Sequence, residues 1–108
     1  MCQPDVNALS QRTGIKPDVL VSIQDLARAR GIKRVVLYGS RARGTQRDRS
    51  DIDLAADGGD VLNFIFDVDE ESPTILKFDV VDLGSLANAE LRADIERNQV
   101  TVYDVAQA

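Results

Sequence analysis

The chain contains no histidine, and its single cysteine is Cys2. Without histidine there is no His-based zinc site, no Ser–His or Cys–His nucleophile pair and no imidazole acid–base chemistry. With one cysteine there is no internal disulfide, and Cys2 is expected to be an incidental thiol at a terminus. No apolar run approaches the roughly 20 residues that span a bilayer. The first ten residues lack a charged segment followed by an apolar stretch, so they do not read as a signal peptide, and the expected location is cytoplasmic. Repeats, linkers and low-complexity tracts are absent too. The 108 residues fit one domain with one core, and an apolar content of 44% is ordinary for a folded protein.

Basic residues are in the minority, and the net charge is −5. An extended nucleic-acid surface is not expected on such a chain. The positive charge is concentrated instead: Arg41, Arg43, Arg47 and Arg49 fall within nine residues. Local clustering against an acidic background suggests a small anionic ligand rather than a long polyanion.

The pattern along the chain is αβαβαβαβ. Residues 1–15 show little periodicity and predict a loosely ordered lead-in with at most a short helix. Pro17 and Asp18 mark a helix start, since proline suits the first helical position and a carboxylate suits the positive end of the dipole. Val19, Leu20, Ile23, Leu26 and Ala27 give a buried stripe, and Gly31 reads as the residue just past the end. Residues 32–38 are short and β-branched and predict a strand closed by Gly39. Ser40 is a candidate cap for a short helix ended by Gly44. Residues 45–50 form a polar loop, and 52–56 the next strand. Residues 60–70 predict a helix with Val61, Leu62, Ile65 and Phe66 on its inner face. On that reading Phe64 and Val68 lie off the stripe, and either one or both are exposed or both pack under the Pro73 loop. Pro73 breaks what precedes it, and 75–83 predict a strand. Ser85 reads as a helix cap, with Ala87, Leu91 and Ile95 on a buried face, and 100–103 as a last strand. The implied class is α/β (α+β): a small sheet of three or four strands with helices mainly on one face.

Strand alternation then places the carboxylates. Ile52 and Leu54 share one face, so Asp51 and Asp53 share the other. Phe78 and Val80 likewise share a face, leaving Lys77, Asp79 and Val81 opposite. If the four apolar residues face the helices, Asp79 emerges beside Asp51 and Asp53. Three like charges on one face repel unless a cation neutralises them. With no histidine, that cation is bound by oxygen, which points to magnesium or manganese. Upstream, Gly39 permits close backbone approach to a phosphate, Ser40 can donate a hydroxyl, and Arg41 and Arg43 can supply charge-assisted bonds. Lys77 shares the open face but reads as a solvated lysine, and Tyr38 reads as core. Asp82 is a second candidate for the third carboxylate, on the opposite strand face.

These residues resemble a known family. "GSRARGTQRDRSDIDL" is similar to the Gly-Ser…Asp-x-Asp signature of the DNA polymerase β-like nucleotidyltransferases, in the form seen in minimal nucleotidyltransferases of bacteria and archaea. "KFDVVDL" resembles their third-carboxylate strand, and "LRADIERNQVTVYD" their C-terminal helix and strand. The likeness runs from about residue 17 to 104 and implies their mixed-sheet fold, with 1–108 as one domain. It implies that Gly39 and Ser40 bind the triphosphate of ATP, that Asp51 and Asp53 bind two magnesium ions, and that Asp79 completes the metal site. Arg41 and Arg43 fall where the family has basic residues near phosphate. The stretch between Ala56 and Ile75 departs from the pattern, being short, acidic and broken by Pro73.

The resemblance further implies a partner. Minimal nucleotidyltransferases of this kind are paired with a small all-helical HEPN toxin, and as antitoxins transfer AMP to one of its tyrosines. A second possibility is a binding module that neutralises the partner by contact. A third, an enzyme that modifies an antibiotic hydroxyl, is disfavoured because such enzymes carry an additional substrate domain.

Overall fold

The structure is a computed structural model and describes residues 4–47 and 49–107; Cys2 lies outside the described residues. Its elements run α1 (Val6–Thr13), α2 (Pro17–Ala29), β1 (Arg34–Tyr38), α3 (Ser40–Arg43), β2 (Ile52–Asp57), α4 (Val61–Glu71), β3 (Phe78–Asp82), α5 (Ala89–Asn98) and β4 (Val100–Asp104), followed by a 3₁₀ turn at Val105–Gln107. The four strands form one mixed sheet in the order β3-β2-β1-β4. β1 is antiparallel to β2 and β4, and β2 is parallel to β3. A parallel pair needs a crossover connection, and α4 supplies it.

The alternation written into the strands divides the molecule. Ile52, Leu54 and Ala56, with Phe78 and Val80, join Leu20, Ile23, Phe64 and Val68 in the main core, beneath α1, α2 and α4. The other face holds a smaller cluster of Val36, Tyr38, Ala55, Leu83 and Ile95. Of the helices, α5 is the one packed on that second face, through Ile95 and, partly, Leu91.

The lead-in carries a short helix, α1, that is docked. The Asp5 side chain accepts from the Asn7 N–H, Gly14 closes the helix at φ 74°, and Leu9 and Ile15 enter the core. α2 starts at Pro17 as its sequence predicts.

Several boundaries differ from those read in the sequence. β3 begins at Phe78 rather than 75. Residues after Pro73 are held by local turn bonds, with the Leu76 N–H donating to Thr74 Oγ1, and Ile75 is 86% exposed. Ser40 does not cap α3; Gly39 occupies that position. Ser85 does not cap α5 either. Its N–H donates to the Asp82 carbonyl in a turn, and the cap is Asn88, whose side chain accepts from the Leu91 N–H. Ala87 precedes the helix and is exposed.

The stripe of α4 is also corrected. Val61, Phe64 and Val68 are buried, while Leu62 and Phe66 are 65% and 60% exposed. "VLNFIF" is apolar nearly all round, so periodicity alone admits two rotations. Polar contacts single out one. Asp60 caps the N-terminus by accepting from the Asn63 N–H, and Arg30 at the end of α2 grips Asp67 with Nε–Oδ2 at 2.6 Å. With Asp67 turned toward α2, Phe64 and Val68 point down onto the sheet.

Candidate active site

Gly39, at the end of β1, has φ 76° and ψ −154°, a conformation that favours glycine strongly. A β-carbon there would collide with the Asp53 carboxylate. The glycine therefore does two things: it turns the chain into α3, and it leaves room for Asp53. Ser40 follows, half-buried, and among the described residues its hydroxyl has no hydrogen-bond partner.

In the β1–β2 register Tyr38 lies opposite Asp53, and in the β2–β3 register Asp53 lies opposite Asp79. Neighbouring strands are about 4.8 Å apart, so Asp53 and Asp79 are cross-strand neighbours on one face. Asp51 precedes β2 and is exposed. Burial raises the Asp53 pKa above its ordinary value, and the charges of Asp79 and Asp51 raise it further; Arg43 and Arg41 act the other way. The Tyr38 phenol is pushed up to about 12, first by burial and then by Asp79, Asp53 and Asp94. It stays protonated at neutral pH and cannot act there as a base.

Among the described residues, no three His, Cys, Asp or Glu side chains are gathered closely enough to hold a metal ion as they stand. The carboxylates nonetheless fit a hard cation in kind. All are oxygen donors, and Asp53 bears a repulsion from its two neighbours that a divalent ion would relieve.

The two arginines part company. Arg43 is exposed, with Nη1 3.8 Å from Asp94 Oδ2, at the margin of the carboxylate face. Arg41 is 2% exposed. Its Nε and Nη2 donate to the Ser50 carbonyl at 3.2 and 2.9 Å, and its Nη1 to the Thr13 carbonyl at 3.0 Å. Direct phosphate contact by Arg41 is therefore corrected to a positioning role. It ties α3 to α1 and to the residue just before Asp51, and its charge still reaches Asp53. The sequence showed an arginine cluster; nothing in it distinguished the buried member from the exposed ones.

Asp82 is set aside as a third carboxylate. It lies opposite Ala56 in the register, and its Oδ1 accepts from the Gly84 N–H in the turn after β3. Lys77 is exposed and borders an open cleft of about 330 Å³ with Arg49, Asp51, Ile75 and Leu76. Asp94 is the residue that sequence reasoning missed. It reaches the site from α5 and acts on both Tyr38 and Arg43, and no local motif announces it.

Residues 22–108 match the family "Polymerase beta, Nucleotidyltransferase", so the chain belongs to the polymerase β-like nucleotidyltransferases. Among solved structures it is similar to a toxin–antitoxin crystallised with AMP-PNP, at 26% identity and a TM-score of 0.65 over 82% of this chain and 75% of that one. A mutant MntA-HpeT toxin–antitoxin matches at 23% identity and a TM-score of 0.64, with the same shares of each chain. A Sulfolobus solfataricus chain proposed to be a nucleotidyltransferase shares the fold at 18% identity and a TM-score of 0.51, over 95% of this chain and 90% of that one. A comparison with curated protein sequences returned no match. No described helix is long and apolar enough to cross a membrane.

Proposed function

We propose that this chain transfers AMP from ATP to a tyrosine hydroxyl of a small all-helical HEPN-type partner, and so acts as an antitoxin in the cytoplasm. The observation that carries the reading is the pairing of Asp53 with Asp79 on one sheet face, next to the positive-φ turn at Gly39. The relative crystallised with AMP-PNP supports an adenine nucleotide as the donor, and its toxin–antitoxin assembly supports a protein acceptor.

Asp51, Asp53 and Asp79 would hold two magnesium ions, with manganese as a substitute. Such ions neutralise the triphosphate and lower the barrier to attack by the acceptor oxygen. The Gly39 backbone and the Ser40 hydroxyl hold the phosphates that will leave, and Arg43 adds charge at the margin. Arg41 fixes the loop between them. Asp79 stands on β3, across β2 from the Gly39 turn, so the acceptor oxygen approaches from the β3 side for an in-line displacement. The tyrosine oxygen forms a bond to the α-phosphorus. The bond from that phosphorus to the bridging oxygen breaks, and pyrophosphate leaves with the electron pair. The phenolic proton passes to Asp79 or to water.

The test is to incubate the chain with a HEPN-type protein and Mg-ATP and to measure the partner's mass. The expected result is a gain of one or more adenylyl groups on tyrosine, abolished in Asp53→Asn. A stable complex with no mass change under varied nucleotides and metals would support neutralisation by contact instead.

A further inference from the structure

Three of the five most exposed large apolar residues lie on α4 or in the segment just after it: Leu62, Phe66 and Ile75. Their placement on the helix is determinate. α2 packs over β4 and α4 over β3. Asp67 points at α2, since it pairs with Arg30. At 3.6 residues per turn, Phe66 and Leu62 are displaced roughly 100° and 140° around the axis from Asp67, both away from the core direction. Val61, Phe64 and Val68 mark the core direction, so Leu62 and Phe66 occupy the face of α4 turned away from the sheet. The strand beneath α4, β3, is the edge of the sheet and pairs only with β2 among the described residues.

The charge of the same helix is one-sided. α4 carries Asp67, Asp69, Glu70 and Glu71 and no lysine or arginine. Asp69, Glu70 and Glu71 stand exposed in its last turn, at the negative end of the dipole, where carboxylates are unfavourable. Asp67 pairs with Arg30, and the charge of Glu71 acts on the same arginine; Asp69 and Glu70 stand on the side of Leu62 and Phe66, and among the described residues neither makes an ion pair. A helix selected for its own stability would place lysine or arginine there. The arrangement instead suits an external cation source beside an apolar contact. A second copy of this chain does not fit, because it would bring a net charge of −5 against −5 and set this acidic turn near its own image.

We propose that the Leu62–Phe66 flank of α4, with the acidic turn beside it, is the docking surface for a basic amphipathic helix of a partner protein. The partner's apolar side chains cover Leu62 and Phe66, and its lysines or arginines meet Asp69 and Glu70, which lie on the same side of the helix. This partner is the acceptor protein of the proposed function; because Asp79 emerges on the opposite face of the sheet, it must also reach round the edge strand β3. The inference rests on the proposed function only in identifying this partner with the acceptor; the surface itself stands on exposure and charge.

The experiment uses the full chain and a fluorescein-labelled helical peptide of leucine and lysine, about 18 residues long so that it can be helical. The control has glutamate in place of lysine. Binding is read by anisotropy, and oligomeric state by sedimentation. The lysine peptide is expected to bind and the glutamate peptide not. Leu62→Ser with Phe66→Ser should weaken binding about tenfold or more, as the loss of a central apolar contact does. Asp69→Lys with Glu70→Lys should also weaken binding while raising the melting temperature, an outcome that a purely structural role would not produce. Failure of the lysine peptide to bind, equal binding of both peptides, or binding unchanged in both double variants would overturn the proposal. So would a wild-type dimer dissolved by Phe66→Ser, which would assign the surface to self-association. Mg-ATP binding, measured on the same samples, should be the same in wild type and variants. Its absence from wild type would count against the proposed function and leave the peptide result to decide the surface.

Discussion

The two faces of the sheet use charge in opposite ways. On the covered face Asp60 and Asp67 are placed where the fold benefits. Asp60 caps α4 by accepting from the Asn63 N–H and Nδ2, and its pKa is lowered by those bonds. On the other face Asp53 is half-buried beside Asp79 and Asp51, and its pKa is raised. One aspartate prefers its charge in the folded state and the other resists it. Period-two alternation lets one strand serve both ends: Ile52 and Leu54 hold the core while Asp53 is free to be uncomfortable. Carboxylates that a fold would be more stable without are expected where a ligand neutralises them.

The largest effect that would sharpen this contrast lies on the covered face. Phe64 is fully buried, so Phe64→Ala should cost about 3–5 kcal/mol by leaving a cavity. Denaturant titration would show it, and Mg-ATP binding should vanish only as the chain unfolds. Asp53→Asn should do the reverse. Transfer should fall by at least about 10²-fold, since even groups behind a metal ligand cost 10- to 100-fold when lost. In EDTA, however, the variant should melt at a higher temperature than wild type. A lower melting temperature for Asp53→Asn would break the comparison.

Arg41 and Arg43, two residues apart, should separate next. Arg41→Ala removes a buried guanidinium from two carbonyl oxygens and should cost about 2–3 kcal/mol of stability. Arg43→Ala, at an exposed position, should leave stability nearly unchanged and raise the KM for ATP. Equal losses of stability would mean that Arg41 is not the clamp its contacts indicate. Gly39→Ala stands between the regions. It forces a side chain into a glycine conformation, at about 1–3 kcal/mol. It also pushes on the Asp53 carboxylate, so nucleotide binding should suffer more than stability.

Much of this division was legible in the sequence. Alternation in "SDIDL" and "KFDVVDL" put Asp53 and Asp79 on one face, because register follows from burying Ile52, Leu54, Phe78 and Val80. The helix at 60–70 was legible as a helix but not in its rotation. "VLNFIF" offers apolar residues in nearly every direction, and the choice rests on Arg30, which is distant in sequence. Arg41 was misread for a related reason, since its partners are carbonyl oxygens of Thr13 and Ser50, and a backbone acceptor leaves no trace in residue identity. Ile75 looked like strand because apolar β-branched residues do, but Pro73 and the turn bonds after it win.

The smallest expected effect joins the two aspartates in one experiment. For Asp60 the folded pKa lies below the unfolded value, so its contribution is present above about pH 4 and is lost as pH falls through the folded pKa. Asp60→Ala should therefore lower stability at pH 7 and differ little from wild type in strong acid. For Asp53 the folded pKa lies above the unfolded value. Its penalty is absent in strong acid, grows as pH rises from about 4, and is complete above the folded pKa. Asp53→Asn should therefore be the more stable chain at pH 7, with no advantage at low pH. Thermal melts of wild type and both variants in metal-free buffer should give two difference curves of opposite sign that converge on zero in acid. If both curves had the same sign at pH 7, the carboxylate face would be no less comfortable than the covered one. The electrostatic reason for placing a cation beside Asp53 would then be gone.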